Sequence, residues 1–396
     1  MAIKYPENVV KIAEILKSHG YRAYAVGGCM RDAIMGRVPN DWDMTTDCSP
    51  EKMLEIFEAE QIRTIPTGLK HGTVSVLIGG EIYECTTFRI DGSYTDSRHP
   101  DGVTFTRDIE EDLRRRDFTV NAIAGDPLSF GETVDVFGGR ADIDAKIIRA
   151  VGNPETRFCE DALRILRAIR FATVLGFEIE NETFAAAKRL GHRLADISAE
   201  RKSVELQKML LSPHADRGIS LLLEADLAKY IHGDISYPKA PISTLPERFS
   251  TRLASLFSSV PELSSMKLSG EVTKQVKALC NDEIFAEAEG KFDEIRAKSR
   301  YMISKYGEIA PDAALLRGKD DLAHTINEEM KKNPAVSIKA LSVNGNDLLA
   351  LGIPPRALGE ICSALLLSVI ESPYLNQKDT LLKMAQSLAA KKENHV

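Results

Sequence analysis

The 396-residue sequence predicts an α+β fold, in which a mixed strand-and-helix region comes first and helices alone follow. Within about the first 150 residues, alternating apolar runs typical of strands are interleaved with helical patterns. From residue 154 onward, helical periodicity dominates and strand signals nearly vanish. The proline-rich stretch 233–246 and a second break at 331–345 divide this helical part, so several compact units are expected.

The N-terminal region alternates helices with strands. Its predicted elements, in order, are a helix over 6–19, a strand over 21–26, a short helix over 30–36, a strand over 41–47 and a helix that starts at Pro50 and is capped by Ser49. The glycine pair at 79–80 divides the alternating run 72–90 into a hairpin. Residues 91–107 are rich in Gly, Pro and Asp, which predicts a long surface loop.

The remainder of the sequence predicts successive helices. Apolar residues at helical spacing predict them over 155–175, 182–194, 199–211, 216–230, 247–260, 272–280, 282–304, 310–316 and 318–331. A last helical piece follows the break at 331–345. Its apolar run at 364–370 is far shorter than the ~18 residues of a membrane span, so a buried helix is expected.

The composition is that of an ordinary soluble protein, with 43% hydrophobic and 28% charged residues. Because the N-terminus lacks the basic-then-apolar pattern of a secretory signal, a cytoplasmic protein without a membrane partner is expected. The six cysteines are dispersed, which argues against a zinc site and a disulfide framework. The net charge of −7 does not exclude a nucleic acid, since phosphate binding depends on local basic faces.

A glycine pair and an Asp-X-Asp pair lie close together near the N-terminus. Gly27 and Gly28 separate a predicted strand from a predicted helix, where backbone N–H groups can approach an anion. Asp41 and Asp43 are two positions apart in a predicted strand, so strand alternation would put both carboxylates on one face. Their repulsion is costly without a cation, and Mg²⁺ prefers such oxygen ligands. A solvated turn explains either pair alone, whereas together they favour nucleotidyl transfer.

Two further segments offer charged candidates. Glu84 on the predicted hairpin could supply a third carboxylate for two metal ions, and an exposed strand residue explains it equally well. The run Arg114 to Arg116 precedes Asp117 and an abrupt return to apolar residues. A solvated helix end is the simple explanation of this run. The apolar residues nevertheless predict that at least one arginine is partly buried beside an anion.

Four polar residues recur every three positions in the predicted helix 155–175. They are Asp161, Arg164, Arg167 and Arg170. Mutual salt bridges along the helix are one explanation. The other is that the stripe contacts a nucleobase, since an aspartate accepts from an amino group and an arginine donates to a ring nitrogen or carbonyl. The spacing alone leaves both explanations open.

Taken in order, these stretches resemble the bacterial class II tRNA nucleotidyltransferases, the CCA-adding enzymes of the DNA polymerase β superfamily. The matching motifs are GGCMRDAIMG…DWDMTTD, HGTVSV, ECTTFRIDGSYTDSRHPDGVTF, EEDLRRRDFTVNAIA, VDVFGGRADIDAKIIRAVGNPETRFCEDALRILRAIRFA and ISAERKSVELQKML. They cover roughly the first half of the chain. The C-terminal ALSVNGNDLLALGI also resembles the tail of the shorter members, with much weaker specificity.

The resemblance implies a nucleotidyltransferase head with a mixed β-sheet, followed by an all-α neck, body and tail. The implied ranges are 1–150 for the catalytic head, 151–230 for the neck that selects the nucleotide, 231–335 for the body and 336–396 for the tail that binds tRNA. Asp41 and Asp43 would bind the catalytic Mg²⁺ ions, with Glu84 as the third carboxylate. The implied nucleotide contacts are Gly27, Gly28 and Arg31 at the triphosphate, Arg116 and Asp117 at the sugar and phosphates, Asp161 and Arg164 at the base, and Arg167 and Arg170 beside them.

The partners implied are tRNA, CTP and ATP, bound by a monomer or a homodimer. The loop 91–107 would help the switch from C to A addition, and its retained length disfavours an enzyme that adds only CC. Full CCA addition, A addition alone and poly(A) synthesis stay open as alternatives. A non-catalytic RNA-binding relative is disfavoured because the paired aspartates and the glycine turn are present. Lys331, Lys332 and Arg356 are candidate tRNA contacts.

Overall fold

The computed structural model describes residues 3–92, 102–129 and 131–393. The chain divides into two compact units, Met1–Gly233 and Asp234–Val396. The division lies at the start of the proline-rich stretch that is predicted as a linker. The finer division into head, neck, body and tail stays a prediction.

The first unit contains the strands. They are β1 Ala23–Val26, β2 Met44–Thr46, β3 Arg63–Gly68, β4 Thr73–Ile78, β5 Glu81–Thr87, β6 Arg89–Asp91, β7 Val103–Phe105, β8 Ala124–Gly125, β9 Thr133–Val134, β10 Ile147–Ile148 and β11 Glu178–Ile179. Within the described residues, seven of them form one mixed sheet in the order β3-β4-β5-β2-β1-β8-β9. Only β2 and β5 run parallel among these sheet neighbours. The predicted α+β class is confirmed.

The helices of the first unit pack against this sheet and against one another. They are α1 Glu7–Ser18, α2 Gly28–Ile34, α3 Pro50–Ala59, α4 Ile109–Arg114, α5 Gly139–Ala145, α6 Pro154–Glu160, α7 Leu163–Leu175, α8 Asn181–Leu190, α9 Ala199–Leu210 and α10 Ala215–Glu224. Ile12 of α1 and Phe57 of α3 share one buried cluster with Val76 of β4. Each such side chain contributes about 1.5–3 kcal/mol by leaving water. This cluster anchors the sheet that carries the site.

Local sequence signals explain several of these elements. Ser49 caps α3, since its Oγ accepts a hydrogen bond from the backbone N–H of Lys52 at 3.3 Å, as predicted. The predicted hairpin is formed by β4 and β5, and its turn residues Gly79 and Gly80 have φ values of 62° and 83°. Two consecutive positive φ values are the reason this tight turn requires glycine.

The predicted strand over 41–47 is wrong in extent. Only Met44–Thr46 is a strand, so Asp41 and Asp43 precede it and strand alternation does not explain their placement. The cause is the antiparallel partner β1, which pairs as far as Ala25 with Met44 and then turns away at Gly27. Residues before Asp43 therefore have no neighbouring strand to pair with.

The single helix predicted over 155–175 is also wrong, because the structure has two helices, α6 and α7. Asp161 lies between them with extended backbone angles, φ −137° and ψ 106°. Its Oδ1 accepts a hydrogen bond from the backbone N–H of Leu163 at 3.0 Å. Such a short-range side-chain bond competes with a continuous helix, which accounts for the break.

The second unit is helical, as predicted. Its helices are α11 Phe249–Ala254, α12 Gly270–Leu279, α13 Asp282–Lys291, α14 Ile295–Tyr306, α15 Ala310–Leu315, α16 Asp320–Lys331, α17 Gly345–Ala350, α18 Leu358–Glu371 and α19 Lys378–Glu393. The helix predicted over 282–304 is interrupted between α13 and α14, where Phe292 is extended and buried. In the part of the chain that the structure describes, no helix is both long and apolar enough to cross a membrane.

A buried arginine joins two parts of the second unit. Arg300 of α14 pairs with Glu329 of α16 at 2.9 Å, and both side chains are buried. The same guanidinium donates through Nε to the carbonyl of Ile370 at 2.5 Å and through Nη2 to that of Glu371 at 2.9 Å. These are the last carbonyls of α18, which need partners outside the helix. One side chain thus ties the helices before residue 335 to those after it.

Candidate active site

The turn between β1 and α2 brings the glycine pair against two arginines. Gly27 has φ 85° and ψ −136°, a conformation that residues with a Cβ rarely adopt. A Cβ at Gly27 would lie 3.5 Å from Nη1 of Arg116, and a Cβ at Gly28 would lie 3.6 Å from Nη2 of Arg31. The glycines, Arg31 and Arg116 are therefore neighbours, although Arg116 is far away in sequence.

Asp43, the residue directly before β2, lies beside Glu84 of the neighbouring strand β5. Met44 of β2 pairs with Cys85 of the parallel strand β5, so the residues that precede them are adjacent. The carbonyl of Asp43 also accepts a hydrogen bond from the backbone N–H of Val26 at 3.0 Å, which ties it to β1. Both carboxylates line a cleft of about 170 Å³. We call it the carboxylate cleft.

The carboxylate of Asp43 is destabilised in its ionised form. Asp43 borders solvent, but burial of its carboxyl within the cleft raises its pKa to about 6, and the like charges of Asp41 and Glu84 act in the same direction. Arg116 opposes the shift. Among the described residues, no three His, Cys, Asp or Glu side chains already lie close enough together to hold a metal. The carboxylate oxygens of Asp43 and Glu84 nevertheless are the kind of ligand that Mg²⁺ prefers.

A second cleft, of about 260 Å³, adjoins the first. It is lined by Arg115, Arg116, Asp117, Asp161, Leu163, Arg164, Arg167 and Arg201. We call it the arginine cleft. Arg115 and Arg116 line the carboxylate cleft as well, so the two clefts share a wall.

The shared wall is held by a buried carboxylate. Asp112 of α4 is fully buried and pairs with Arg115 at 2.7 Å and with Arg116 at 3.1 Å. The charges of both arginines outweigh burial and hold the pKa of Asp112 below its ordinary value. The prediction that an arginine of this run is partly buried beside an anion is confirmed. The anion itself, Asp112, was not among the predicted site residues.

A chain of hydrogen bonds crosses the site. Nη1 of Arg31 donates to Oδ1 of Asn121 at 2.8 Å, and Nδ2 of Asn121 donates to Oδ1 of Asp117 at 3.3 Å. Oδ2 of Asp117 accepts from Nε of Arg167 at 2.7 Å. Burial disfavours the ionised carboxylate of Asp117, but the charges of Arg167 and Arg164 outweigh it and lower the pKa to about 2. The predicted residues on α2 and α7 are therefore linked through Asp117.

The arginine stripe is not paired along one helix. Arg164 pairs with Glu160 at 2.6 Å across the break between α6 and α7, and its Nη2 donates to the carbonyl of Arg115 at 2.9 Å. Each of the other three stripe residues pairs with a partner distant in sequence: Asp161 with Arg201, Arg167 with Asp117, and Arg170 with Glu205. Mutual salt bridging along a helix is therefore the wrong explanation of the stripe.

Three of the arginines surround one aromatic ring. The guanidinium carbons of Arg31, Arg167 and Arg170 lie 5.4, 5.2 and 3.7 Å from the ring centroid of Phe171. Such cation–π contacts orient guanidinium groups that would otherwise repel one another. Phe171 is itself fixed edge-on against Phe118. Arg170 is buried at this ring and does not line the arginine cleft, unlike Asp161, Arg164 and Arg167.

Several residues of the site were not predicted. Asn121 lies within the motif EEDLRRRDFTVNAIA, and Arg201 and Glu205 lie within ISAERKSVELQKML, but nothing local indicates their partners. The loop prediction over 91–107 is only partly tested. Its ends form β6 and β7, which pair antiparallel, and residues 93–101 lie outside the described residues.

Comparisons with known proteins agree on one kind of protein. The poly A polymerase head domain matches residues 23–149, and the family described as the probable RNA and SrmB-binding site of polymerase A matches residues 176–237. The CCA-adding enzyme of Leuconostoc citreum is 36% identical over 405 residues, covering 97% of this chain and 96% of the relative. That of Lactiplantibacillus plantarum is also 36% identical, over 401 residues with the same coverage.

The fold agrees as well. The crystal structure of the Bacillus stearothermophilus CCA-adding enzyme in complex with CTP matches with a TM-score of 0.81 at 33% identity. The match covers 99% of this chain and 100% of that one. The similarity therefore extends over both compact units.

Proposed function

The chain belongs to the family of CCA-adding enzymes, and from that membership we propose that it builds or repairs the 3′-terminal CCA of tRNA from CTP and ATP, without a nucleic-acid template, releasing pyrophosphate. The observation that carries the proposal is the wall of Arg115 and Arg116 shared by the two clefts. The phosphates of a nucleoside triphosphate need positive charge, from arginines and from metal ions that carboxylates hold. Its base needs hydrogen-bonding groups. The two clefts offer these chemistries side by side.

Mg²⁺ would be held by Asp41 and Asp43, with Glu84 as a further oxygen donor. When bound, Mg²⁺ stabilises charge on phosphoryl oxygens and favours ionisation of an attacking hydroxyl. The support is the set of carboxylate oxygens and the raised pKa of Asp43, which burial causes first and the like charges of Asp41 and Glu84 increase; a bound cation would offset both.

The triphosphate would contact the glycine turn, Arg31 and Arg116. Nε of Arg116 is buried and has no hydrogen-bond partner among the described residues. A phosphate oxygen would satisfy this donor by a charge-assisted hydrogen bond. Asp117 orients the neighbouring Arg167 and would lie near the sugar and phosphates.

The base would be read by Asp161 and Arg164 in the arginine cleft. Cytosine and adenine both carry an exocyclic amino group, which can donate a hydrogen bond to a carboxylate. Uracil and guanine present a carbonyl at that position. Arg164 would donate to ring nitrogen and carbonyl acceptors. Its side chain is 10% exposed, and its guanidinium is oriented by Glu160 and by the carbonyl of Arg115, which favours one fixed geometry. Arg167 would add a nucleotide contact beside it, and Arg170 would support it from the Phe171 ring.

The helical regions would bind tRNA, which the reaction requires as its second substrate. We assign the head to 1–150, the neck to 151–230, the body to 231–335 and the tail to 336–396. Arg356 is exposed, while Lys331 and Lys332 already pair with Glu328 and Glu329. Arg356 is therefore the better candidate of the three. A tRNA substrate also implies that the protein works in the cytoplasm.

The test supplies tRNAs that lack one, two or all three terminal nucleotides with CTP and ATP, singly and together. We expect CTP alone to extend the tRNA that lacks all three by its two cytidines and ATP to complete it. If A is added to the tRNA that lacks only its last nucleotide while no cytidine is added to the two shorter tRNAs, CCA addition is overturned and an A-adding enzyme is left. Incorporation of neither nucleotide would overturn an enzymatic function altogether.

A further inference from the structure

We propose that Arg201 is a positioning residue that orients the carboxylate of Asp161 for selection of the nucleotide base. The inference rests on the proposed function and deepens it, because it gives α9 a part in choosing the nucleotide. The two residues are 40 positions apart in sequence and line the same cleft.

Both oxygens of Asp161 have a defined partner. Oδ1 accepts from the backbone N–H of Leu163 at 3.0 Å, and Oδ2 accepts from Nη2 of Arg201 at 3.0 Å. Asp161 lies in the break between α6 and α7, so helical backbone does not orient its side chain. The bond to Leu163 leaves the carboxyl group free to rotate about that one contact. The second bond, to Arg201, is what fixes its plane.

Arg201 is not needed to dock α9 on α7. The pair of Arg170 and Glu205 already joins these helices, with side chains only 10% and 6% exposed. Leu206 and Met209 of α9 are fully buried as well. By contrast, Arg201 and Asp161 are 24% and 17% exposed, so their ion pair is more open to solvent and more strongly screened than the pair of Arg170 and Glu205.

Arg201 also carries an unsatisfied donor. Its Nη1 is buried without a hydrogen-bond partner among the described residues. An unpaired buried donor is costly, so a side chain that served stability alone would be poorly placed here. The arrangement is consistent with a guanidinium held at the arginine cleft for ligand selection.

The chemistry predicts which measurement should change. A fixed carboxylate favours the amino group of CTP and ATP over the carbonyl of UTP and GTP. Without Arg201, the Asp161 carboxylate is misaligned for the amino group of CTP and ATP. UTP and GTP lose nothing, because their carbonyl cannot donate a hydrogen bond to this carboxylate with or without Arg201. Selectivity should therefore fall, not only overall rate.

The test measures kcat/KM for CTP and for UTP with Arg201→Gln, on tRNA that lacks its terminal nucleotides. We expect the CTP-to-UTP ratio to fall about tenfold, the effect of one charge-assisted hydrogen bond. An equal loss for both nucleotides would indicate a structural role and overturn the inference. The matched control is Arg189→Gln. It removes an exposed arginine of α8 that pairs with Glu155 of α6, and it should leave the CTP-to-UTP ratio unchanged.

A double-mutant cycle tests whether Arg201 acts through Asp161. In an Asp161→Asn background, Arg201→Gln should leave the ratio unchanged, and a further tenfold fall would overturn the inference. Unfolding is measured alongside. If Arg201→Gln does not fold, Arg201→Lys takes its place under the same criteria, because it keeps the charge and loses the planar fork. Wild-type protein that does not incorporate CTP would instead contradict the proposed function.

Discussion

Asp117 and Arg167, fifty positions apart, form an ion pair with an Nη2–Oδ2 distance of 2.5 Å. Asp117 also caps its own segment, since Oδ1 accepts from the backbone N–H of Phe118 at 2.9 Å. The pair joins the segment after α4 to the middle of α7. The contact that shapes the arginine cleft is thus also part of what holds the first unit together.

Asp117→Asn should lower the free energy of unfolding by about 2 kcal/mol at pH 7, because the carboxylate has a folded-state pKa of about 2 against an ordinary 3.8. A lowered pKa stabilises the fold only while the group is ionised. The difference between wild type and variant should therefore persist down to about pH 4 and shrink as the pH falls towards 2. Urea unfolding at several pH values measures it. A difference that grew on acidification would contradict the pairing.

Asp41→Ala and Asp43→Ala should each lower incorporation of both CTP and ATP by about a thousandfold or more, because each would remove a proposed oxygen ligand of Mg²⁺. Binding of tRNA should stay nearly intact. Incorporation and tRNA retention are measured on the same preparations. Glu58→Ala, at an exposed carboxylate on α3, serves as the control. Full activity of Asp43→Ala would contradict the proposed role of the carboxylates in the reaction.

Gly139→Ala should destabilise the first unit by about 1–3 kcal/mol, because its Cβ would lie 2.2 Å from the carbonyl oxygen of Thr119 and 2.8 Å from Cγ1 of Ile123. The carbonyl cannot move without shifting the 119–121 turn that carries Asn121. Thermal unfolding followed by circular dichroism measures the loss.

Gly359→Ala provides the opposite case within the same chain. Gly359 lies in α18, and an added Cβ there would meet nothing within 4 Å. Alanine should therefore stabilise the helix by about 0.5–1 kcal/mol. Equal destabilisation by both substitutions would show that the close approach at Gly139 is not the cause.

Arg356→Ala should reduce the salt dependence of tRNA binding. Each lost phosphate contact lowers the slope of log K against log salt by about one. Lys331→Ala should change the slope less, because Lys331 already pairs with Glu328 at 2.8 Å. Filter binding across a salt series distinguishes the two. A larger effect of Lys331→Ala would reverse this assignment.

Elements set by short-range signals are predictable from the sequence alone. α1, α3 and the hairpin of β4 and β5 follow from apolar spacing, a capping serine and a glycine pair, which all act within a few residues. β8 to β11 are two residues long, too short for any periodic pattern to mark them.

The same limit applies to predicting the contacts of the candidate site from the sequence. The sequence marks Asp161 and Arg164 but not the break between α6 and α7, because a carboxylate capping the next turn looks like any helical aspartate. Asp112 is one of several acids in a charged run, and no local pattern indicates that it is the buried one. Arg201 can pair with Asp161 only once α9 is folded against α7. Partners set by tertiary contacts are therefore the part that could not be predicted.

The guanidinium of Arg300 has a consequence for dissecting the second unit. Its acceptors at Ile370 and Glu371 lie beyond residue 335, where the body is expected to end. A fragment truncated at that boundary would keep Arg300 and Glu329 and lose the carbonyls, and it would also expose the part of α14 that packs against α18. Residues 231–335 should therefore aggregate when expressed alone, and a fragment designed to fold should contain the whole of Asp234–Val396.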